Sequence, residues 1–435
     1  MIEAHGFGGQ SDLPIPLGLA ISGAVAALVL SFAVLILAWR TPRYAEPGGR
    51  PAPALLDRIA GAPATLVVLR TIGVVALLYT AAAALWGQPY TTNPFMGIFF
   101  VWLWVGVPAA SILFGPVWRA LNPMRTITAG LTRLTGADPR DGMLTYPEWL
   151  GHWPAALGLF AFVWQELVSG NPTDLNSLRL WCAVYGGAML IGGMLFGQRW
   201  FARADPFEVY STAMAHLSVW SKQDGRLVVR SPLANLATLP ARPGLVAVVA
   251  VLFGSTAFDS FKESNRWIHM IQTSSISGTV INNLGLLGFC CLAGLILTVA
   301  CLLTPGGTTP QRLLPRQFAH TIVPIIAAYI MAHYLTFLID NGIQTLARVS
   351  DPFGKGWNLF GTDSFTSNYW FSYHPTFLAS MKVVAVVIGH VTAAAASHDR
   401  ALVVLPRKWH VLGQLPVLLA MVGFTAGGLY LLFSG

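Results

Sequence analysis

Long apolar segments recur along the chain and are separated by shorter polar stretches. Each has about 20 or more residues, enough for an α-helix rising about 1.5 Å per residue to cross a hydrocarbon core of about 30 Å. Lipid offers the backbone no hydrogen-bond partner, which favours helices over open strands. The pattern predicts ten membrane-spanning helices, at about residues 15–39, 65–87, 96–116, 147–168, 178–199, 243–261, 279–304, 317–339, 375–397 and 411–433.

The composition agrees with this pattern. Of 435 residues, 54% are hydrophobic and only 10% are charged, whereas soluble domains carry about 25% charged residues. A soluble enzyme, a disordered protein and a fibrous repeat are therefore excluded. We expect an all-α, polytopic helical bundle that forms a single membrane domain over residues 1–435, with the lipid bilayer as its surroundings.

Positive charges predict the orientation of the spans. With the segment after the first span taken as inside, 19 of the 26 Lys and Arg residues lie in inside segments and five in outside segments. Such an excess is typical of cytoplasmic loops. Both termini are then outside, and the net charge of +8 describes loops beside anionic lipid. Nucleic-acid binding is not indicated.

Two inside segments resemble each other. Phe114-Gly115-Pro116 leads to Asn122-Pro123, and Phe196-Gly197-Gln198 leads to Asp205-Pro206, each after an outside-to-inside span. An Asn or Asp before Pro is typical of a helix start. We therefore expect amphipathic interfacial helices within about 117–135 and 204–220, and the likeness favours a parallel internal repeat; convergence on similar membrane-edge chemistry is the alternative. The outside segment of about 340–374, rich in Gly, Ser, Asn and aromatic residues, is an interfacial loop or a lid.

Ionisable residues inside spans are costly and therefore indicate function. In the outer half, Asp259 and Glu263 lie one helical turn apart, and His333 and Asp340 are seven residues apart on one predicted stripe. Lys382 is expected at the depth of His333. We predict that Asp259, His333, Lys382 and Glu263 form an outward-opening ligand or proton site. The alternative is a set of helix ends solvated at the membrane boundary.

Two histidines lie in the inner half of the predicted spans. His320 begins the eighth span and His390 lies inside the ninth, so antiparallel neighbours would bring them to similar depth. Together with His333 and Asp259 they are candidate ligands of a transition metal such as zinc, copper or iron. The 13-residue spacing of His320 and His333 also resembles that of stacked haems in a cytochrome b bundle. The alternative is histidines bonded to neighbouring backbone and side chains.

Several segments together resemble a bacterial family of multi-pass proteins labelled fenitrothion hydrolase. The segments that carry this resemblance are His5-Gly6, Asp12-Leu13-Pro14-Ile15-Pro16, Asp205-Pro206-Phe207-Glu208, Gly254-Ser255-Thr256-Ala257-Phe258-Asp259, His333-Tyr334, Asp351-Pro352-Phe353-Gly354, Gly389-His390-Val391 and His398-Asp399-Arg400. Where the family is expected to have Gln, this chain has Lys382.

The resemblance implies a bacterial cytoplasmic-membrane protein that cleaves a phosphotriester. A metal-bound hydroxide would attack the phosphorus, with His333, Asp259 and Asp340 as candidate ligands. Lys382 would stabilise the phosphoryl oxygen, so Lys382 and Asp340 are the candidate catalytic residues.

The leading functional hypothesis is transport or handling of a small ligand or metal ion at the intramembrane site, with protons as coupling ions. A metal-dependent phosphotriester hydrolase is the alternative, and an accessory subunit of a larger membrane complex, or a homo-oligomer, is a third. The chain has no phosphate-binding G-x-x-x-x-G-K-[ST] motif, no H-E-x-x-H and no G-x-S-x-G. ATP-driven transport by this chain alone and conventional serine or zinc hydrolysis are therefore not indicated.

Overall fold

The computed structural model describes residues 10–45, 48–134, 136, 138–307 and 309–433. Helices dominate, so the predicted all-α fold class is confirmed. The α-helices in chain order are α1 Leu17–Ala38, α2 Ala54–Gly61, α3 Pro63–Trp86, α4 Pro94–Met96, α5 Val107–Phe114, α6 Val117–Leu121, α7 Pro123–Leu134, α8 Trp153–Leu167, α9 Leu175–Phe196, α10 Gln198–Ala204, α11 Pro206–Ala215, α12 Pro232–Leu236, α13 Leu245–Lys262, α14 Asn265–Thr273, α15 Gly278–Leu303, α16 Leu314–Ala319, α17 Val323–Thr336, α18 Gly342–Arg348, α19 Trp370–Tyr373, α20 Pro375–Val404 and α21 Leu415–Phe433.

Two π-helical segments, Gly97–Gly106 and Phe337–Asn341, link α4 to α5 and α17 to α18. Short 3₁₀ turns occur at Gln10–Asp12, Gln311–Leu313, His320–Ile322, Arg407–Trp409 and Leu412–Gln414. The strands are β1 Arg50–Pro51, β2 Trp220–Gln223 and β3 Arg226–Val229.

Nine helical stretches among the described residues are long and apolar enough to cross a membrane. They correspond to nine of the ten predicted spans, and the protein is a multi-pass membrane protein. The predicted fourth span, 147–168, is shorter in the structure. Its helix α8 has 15 residues, or about 22 Å at 1.5 Å per residue. Gly151, with a φ of +45°, adopts a conformation that a right-handed helix does not use, so the helix begins only after it.

The chain divides into two compact units. Unit 1 comprises Gly49–Arg230 and Phe337–Asn368, and unit 2 comprises the described residues up to Gly48 together with Ser231–Thr336 and Tyr369–Gly435. The predicted single membrane domain stays a prediction. Each unit is described by itself below.

Unit 1 contains two similar halves. In each, an Asn or Asp caps a long helical stretch, which is Pro94–Phe114 in the first half and α9 in the second. Asn93 accepts the Phe95 N–H at 2.9 Å, and Asp174, 81 residues later, accepts the Ser177 N–H at 2.8 Å. Each long helix ends at a glycine of positive φ, Gly115 at +88° or Gly197 at +62°, which favours glycine because it has no Cβ. The helices α3 and α8 also end 81 residues apart. Such caps and glycines are common at helix ends in general, so the internal repeat and convergence both stay open.

The residues that cap α7 and α11, one from each half, contact each other. Asn122 precedes α7 and Asp205 precedes α11, and the Asn122 amide donates to Asp205 Oδ2 at 2.6 Å. Three residues on in each half, Arg125 donates to both carboxylate oxygens of Glu208, at 3.1 and 2.6 Å. This cap pair and this buried ion pair are two of the polar contacts that join the halves of unit 1; the Ser111 and Ser211 hydroxyls, 2.8 Å apart, are another.

The helices that follow these caps differ in exposure. α7 buries Arg125 and Thr128 but leaves Leu131 and Leu134 exposed, as expected of an amphipathic helix. In α11 nearly every residue is buried, so it is an interior helix of unit 1 rather than one with an exposed polar face. Its side chains pack against α5, α6 and α8.

Unit 1 also holds a small antiparallel sheet with strand order β1-β3-β2, which the sequence analysis did not predict. Asp224 and Gly225, with φ of +51° and +80°, form the turn between β2 and β3. An Asp-Gly pair at such angles is typical of a tight hairpin. The Asp57 carboxylate accepts the Leu227 N–H at 2.7 Å and holds α2 against the sheet.

The core of unit 2 lies where α1, α17, α20 and α21 meet. A buried cluster there contains Ala24, Tyr329, Ala332, Ala379, Val386, Leu429, Leu432 and Phe433. Gly389 of α20 packs directly on α17, since a Cβ there would lie 2.4 Å from Ala328 Cβ and 2.8 Å from the Pro324 carbonyl oxygen. This close approach fixes the depth of α20 beside α17.

Candidate functional site

A carboxylate with three partners lies inside unit 2. Asp259, fully buried near the end of α13, accepts the Tyr334 hydroxyl at 2.8 Å and contacts His333 Nε2 at 2.9 Å, both at Oδ2. Its Oδ1 forms an ion pair with Lys262 Nζ at 3.1 Å. The predicted pairing of Asp259 with His333 is therefore seen in the structure as a direct contact.

Two helices bring these groups together. Asp259 and Lys262 are three residues apart and so share one face of α13, while His333 and Tyr334 lie near the end of α17. α13 is held by α15, because a Cβ on Gly254 would lie 2.5 Å from Cys290 Cα. In the most apolar part of each span, 78% of the residues are buried in protein for the span that carries α13 and 72% for the span that carries α17. The pair is therefore screened from lipid.

Hydroxyl groups extend the contacts beyond His333. Ser260 Oγ lies 3.2 Å from His333 Nδ1 and 3.1 Å from the Tyr329 hydroxyl. Ser260 Oγ also lies 3.2 Å from the Thr256 carbonyl oxygen, to which it can donate. An unbroken series of polar contacts thus joins Lys262, Asp259, His333, Ser260 and Tyr329, and we call these five side chains the relay.

The relay determines which ring nitrogen carries the proton. When neutral His333 donates from Nε2 to Asp259, its Nδ1 has a free lone pair and accepts from Ser260. When His333 is protonated, Nδ1 donates to Ser260, whose own proton then turns to Thr256 or Tyr329. In both states His333 and Ser260 keep their hydrogen bonds, so the imidazole can gain or lose a proton without losing a hydrogen bond.

Lys382 lies near the relay on α20. It is 1% exposed and lies on the face between Ala379 and Val386, which pack in one cluster with Tyr329. Asp12, in the 3₁₀ turn before α1, is the acidic group whose charge acts on it. That Lys382 belongs to one ligand site with Asp259 and His333 stays a prediction.

Glu263 and Asp340 are the other two outer residues that the sequence predicted. Glu263 is the half-buried C-cap residue of α13. Asp340 is buried in the π-helical segment Phe337–Asn341 of unit 1 and accepts the Ser367 hydroxyl. A π-helix has more residues per turn than the 3.6 that placed Asp340 on the stripe of His333, so that register does not continue past Thr336.

The inner histidines have different surroundings. His390 lies 2.8 Å through Nδ1 from the Val386 carbonyl oxygen, to which it donates, and its buried Nε2 has no hydrogen-bond partner among the described residues. His320, also buried, lines a cavity at one end of unit 2.

Among the residues that the structure describes, the candidate metal ligands are not gathered into one site. Zinc takes four protein ligands in structural sites, or three with a water in catalytic sites. Within the described ranges, no three His, Cys, Asp or Glu side chains come together as a metal would need. Asp259 and His333 supply only two donors and are bonded to each other. Metal binding by His333, Asp259, His320 and His390 stays a prediction from the sequence.

Sequence reasoning missed Lys262, Tyr334, Ser260 and Tyr329. The only signal for them was proximity, since each lies within four residues of Asp259 or His333. Hydroxyl side chains are common in spans, where they bond to the preceding turn, so their presence alone did not single them out.

Comparison with known proteins gives no relative. No protein-family model, no curated protein and no solved structure matches the chain. His5 and Gly6, which contribute to the resemblance noted above, lie outside the described residues.

Proposed function

We propose that this multi-pass membrane protein moves protons through the relay of unit 2 as part of transporting a small ligand or ion. One observation carries the proposal: five proton-bearing side chains lie in contact from Lys262 to Tyr329, with no apolar gap between them.

The cost of the buried charges supports a functional role. A buried ion pair is often no more stabilising than apolar residues of the same size. Ionisable groups inside spans therefore mark proton or ion pathways more often than structural supports. Asp259 and His333 form such a pair on two of the spans most enclosed by protein.

The steps follow from the contacts. A proton that reaches Ser260 from the Tyr329 side passes to His333 Nδ1, and the imidazole then releases its Nε2 proton to Asp259 Oδ2. Lys262, whose side chain is 23% exposed, is an ammonium in this ion pair, so it first releases a proton to water, and its neutral amine then takes the proton from Asp259. Imidazole is suited to this exchange because one ring nitrogen can accept a proton while the other releases one. We propose the bacterial cytoplasmic membrane as the location.

The phosphotriester hydrolase stays the alternative implied by the resemblance. It needs a metal-bound hydroxide or an equivalent nucleophile, and the contacts around Asp259 supply a proton path rather than a ligand set. An accessory role in a larger complex also stays a prediction.

Proton flux tests the proposal. The purified protein is reconstituted into liposomes that contain a pH-sensitive dye, and a potassium diffusion potential drives protons inward. We expect flux well above that of protein-free liposomes, and at least a tenfold loss in Asp259→Asn and His333→Gln. His216→Gln, which changes a histidine of unit 1 bonded to the Thr212 carbonyl, is the matched control and keeps the flux.

Two results would contradict the proposal. One is wild-type flux equal to that of empty liposomes. The other is unchanged flux in Asp259→Asn, with the variant inserted and monodisperse. Hydrolysis of a phosphotriester by the same preparation, lost in Asp259→Asn without proton flux in the wild type, would favour the alternative.

A further inference from the structure

One end of unit 2 contains a cavity of about 70 Å³. The cavity lies just beyond the C-terminal end of α1, beside the last turns of α20 and just before the start of α17. Residues of α12 and its C-terminal end also line it. Its polar lining consists of Tyr44, His320, Asp399 and Arg400, and the remainder of the lining is apolar. A space of this size holds several water molecules or one small polyatomic ion.

The carboxylate in the lining is already engaged. Asp399 Oδ1 accepts the Arg43 N–H at 2.6 Å, and Oδ2 accepts the Tyr44 N–H at 3.3 Å. Asp399 thus binds the backbone that follows α1 and shapes one wall of the cavity. Its charge is directed at two N–H groups of that wall.

The guanidinium in the lining has unused capacity. One Nη of Arg400 donates to Gln317, but its Nε–H is buried and has no acceptor among the described residues. A buried donor without an acceptor costs about 1–3 kcal/mol, so an acceptor within the cavity would stabilise the site. Arginine binds phosphate oxygens through paired N–H groups better than any other side chain.

The surrounding sequence is basic. Arg40 and Arg43 follow α1 and Arg316 lies within α16, so their backbones belong to the same end of the helices as Arg400. Arg43 packs over the Trp39 ring at 4.2 Å. The charge distribution predicts this end to be cytoplasmic, where basic pockets between spans bind anionic lipid headgroups. Within the lining, Asp399 balances the charge of Arg400, and the additional arginines at this end of the helices favour an anion over water as the acceptor of the Arg400 N–H.

We propose that this cavity binds a phosphate group, either the headgroup of an anionic phospholipid or free inorganic phosphate. Arg400 donates to its oxygens, and His320 and Tyr44 are the other lining residues able to donate a hydrogen bond. This site is separate from the relay and does not depend on the proposed proton transport.

Thermal unfolding in detergent tests the site and distinguishes the two sources. The protein is mixed with phosphatidylglycerol or with phosphatidylcholine, and separately with sodium phosphate or with sodium chloride at matched ionic strength. We expect phosphatidylglycerol to raise the Tm of the wild type by several degrees relative to phosphatidylcholine if a lipid is the source. A rise with sodium phosphate alone identifies the free ion.

Variants establish where the phosphate group binds. Arg400→Gln loses the stabilisation, and Ala396→Leu, which fills the cavity without changing a charge, loses it too. Arg312→Gln removes an exposed charge near α16 and is the matched control that keeps it. The proposal is wrong if neither phosphate source stabilises the wild type, or if folded Ala396→Leu and Arg400→Gln respond as the wild type does.

Discussion

His333 Nε2 and Asp259 Oδ2 lie 2.9 Å apart, on two helices whose side chains are 74 residues distant in the sequence. The contact is made between a carboxylate that is fully buried and an imidazole that is 2% exposed. Because the two side chains are hydrogen-bonded and orient each other, the effect of replacing one on stability depends on whether the other is present.

This coupling is measurable in a double-mutant cycle. Asp259→Asn leaves His333 with a weaker acceptor, and His333→Gln leaves the Asp259 charge with Lys262 and Tyr334 only. We expect each single variant to lower the Tm and the double variant to lower it by less than the sum. The interaction energy for groups in contact is about 0.5–3 kcal/mol. Additive effects would mean that the pair is not coupled.

The packing that positions Asp259 predicts a sharp difference between two glycines. Gly254→Ala places a Cβ 2.5 Å from Cys290 Cα, backbone that cannot give way, so α13 and α15 must separate. We expect a Tm lower by several degrees and reduced proton flux.

Gly288→Ala on α15 is the matched control for this packing. Nothing lies within 4 Å of the Cβ that it adds, and alanine favours a helix over glycine by about 0.5–1 kcal/mol. Its Tm should equal or exceed that of the wild type. A Tm of Gly254→Ala equal to that of Gly288→Ala would show that the helices do not pack so closely.

Removing only one partner of the buried Arg125–Glu208 ion pair should lower the free energy of unfolding. Arg125→Met leaves Glu208 buried and without its guanidinium partner, and breaking a buried pair in this way costs about 3–5 kcal/mol. Arg125→Met combined with Glu208→Leu removes both charges and should recover part of the loss. Thermal unfolding of the three proteins decides the point; a double variant less stable than Arg125→Met would contradict it.

Asp205 predicts a pH dependence of stability. Burial, assisted by the nearby Glu208 charge, raises the pKa of Asp205 to about 7, although hydrogen bonds such as that from Trp118 oppose the rise. When the chain unfolds, the pKa returns to about 3.8. The folded state therefore binds more protons between these values, so its stability falls as the pH rises from about 4 to about 7.

The corresponding measurement is the Tm at pH 5 and at pH 8. We expect the wild type to be less stable at pH 8, and Asp205→Asn, which has no titrating proton there, to show a smaller difference. Asp138→Asn is the control: Arg140 lowers the pKa of that exposed carboxyl to about 2, so it stays ionised at both pH values. An equal pH response in Asp205→Asn and wild type would assign the dependence to other groups.

Depth along a span was predictable from the sequence, but the partners of a side chain were not. Run length located nine spans, and the topology predicted from the positive charges placed Asp259 and His333 in the same outer half of the membrane, in agreement with their contact. Helix rotation and the choice of neighbours depend on packing between distant segments. Ser260 and Tyr329 therefore looked like ordinary span residues until α13 and α17 were seen side by side.

Local backbone geometry accounts for the remaining differences. The 3.6-residue period behind the predicted stripe does not apply within the π-helical segment Phe337–Asn341 that holds Asp340, and no residue pattern signals a π-helix as a Gly or Pro signals a turn. Gly151 shortened the fourth span inside a mostly apolar run. For the sheet, by contrast, Asp224-Gly225 was a readable hairpin signal that the apolar pattern overshadowed.

The contact between Asn122 and Asp205 limits how alike the two halves of unit 1 can become. If both positions were Asp, two carboxylates would face each other where a single 2.6 Å hydrogen bond now lies. If both later positions were Arg or both Glu, the same repulsion would arise where Arg125 meets Glu208. Two copies with identical charged residues at these positions would therefore repel each other, and the complementary residues Asn122 and Arg125 remove that repulsion.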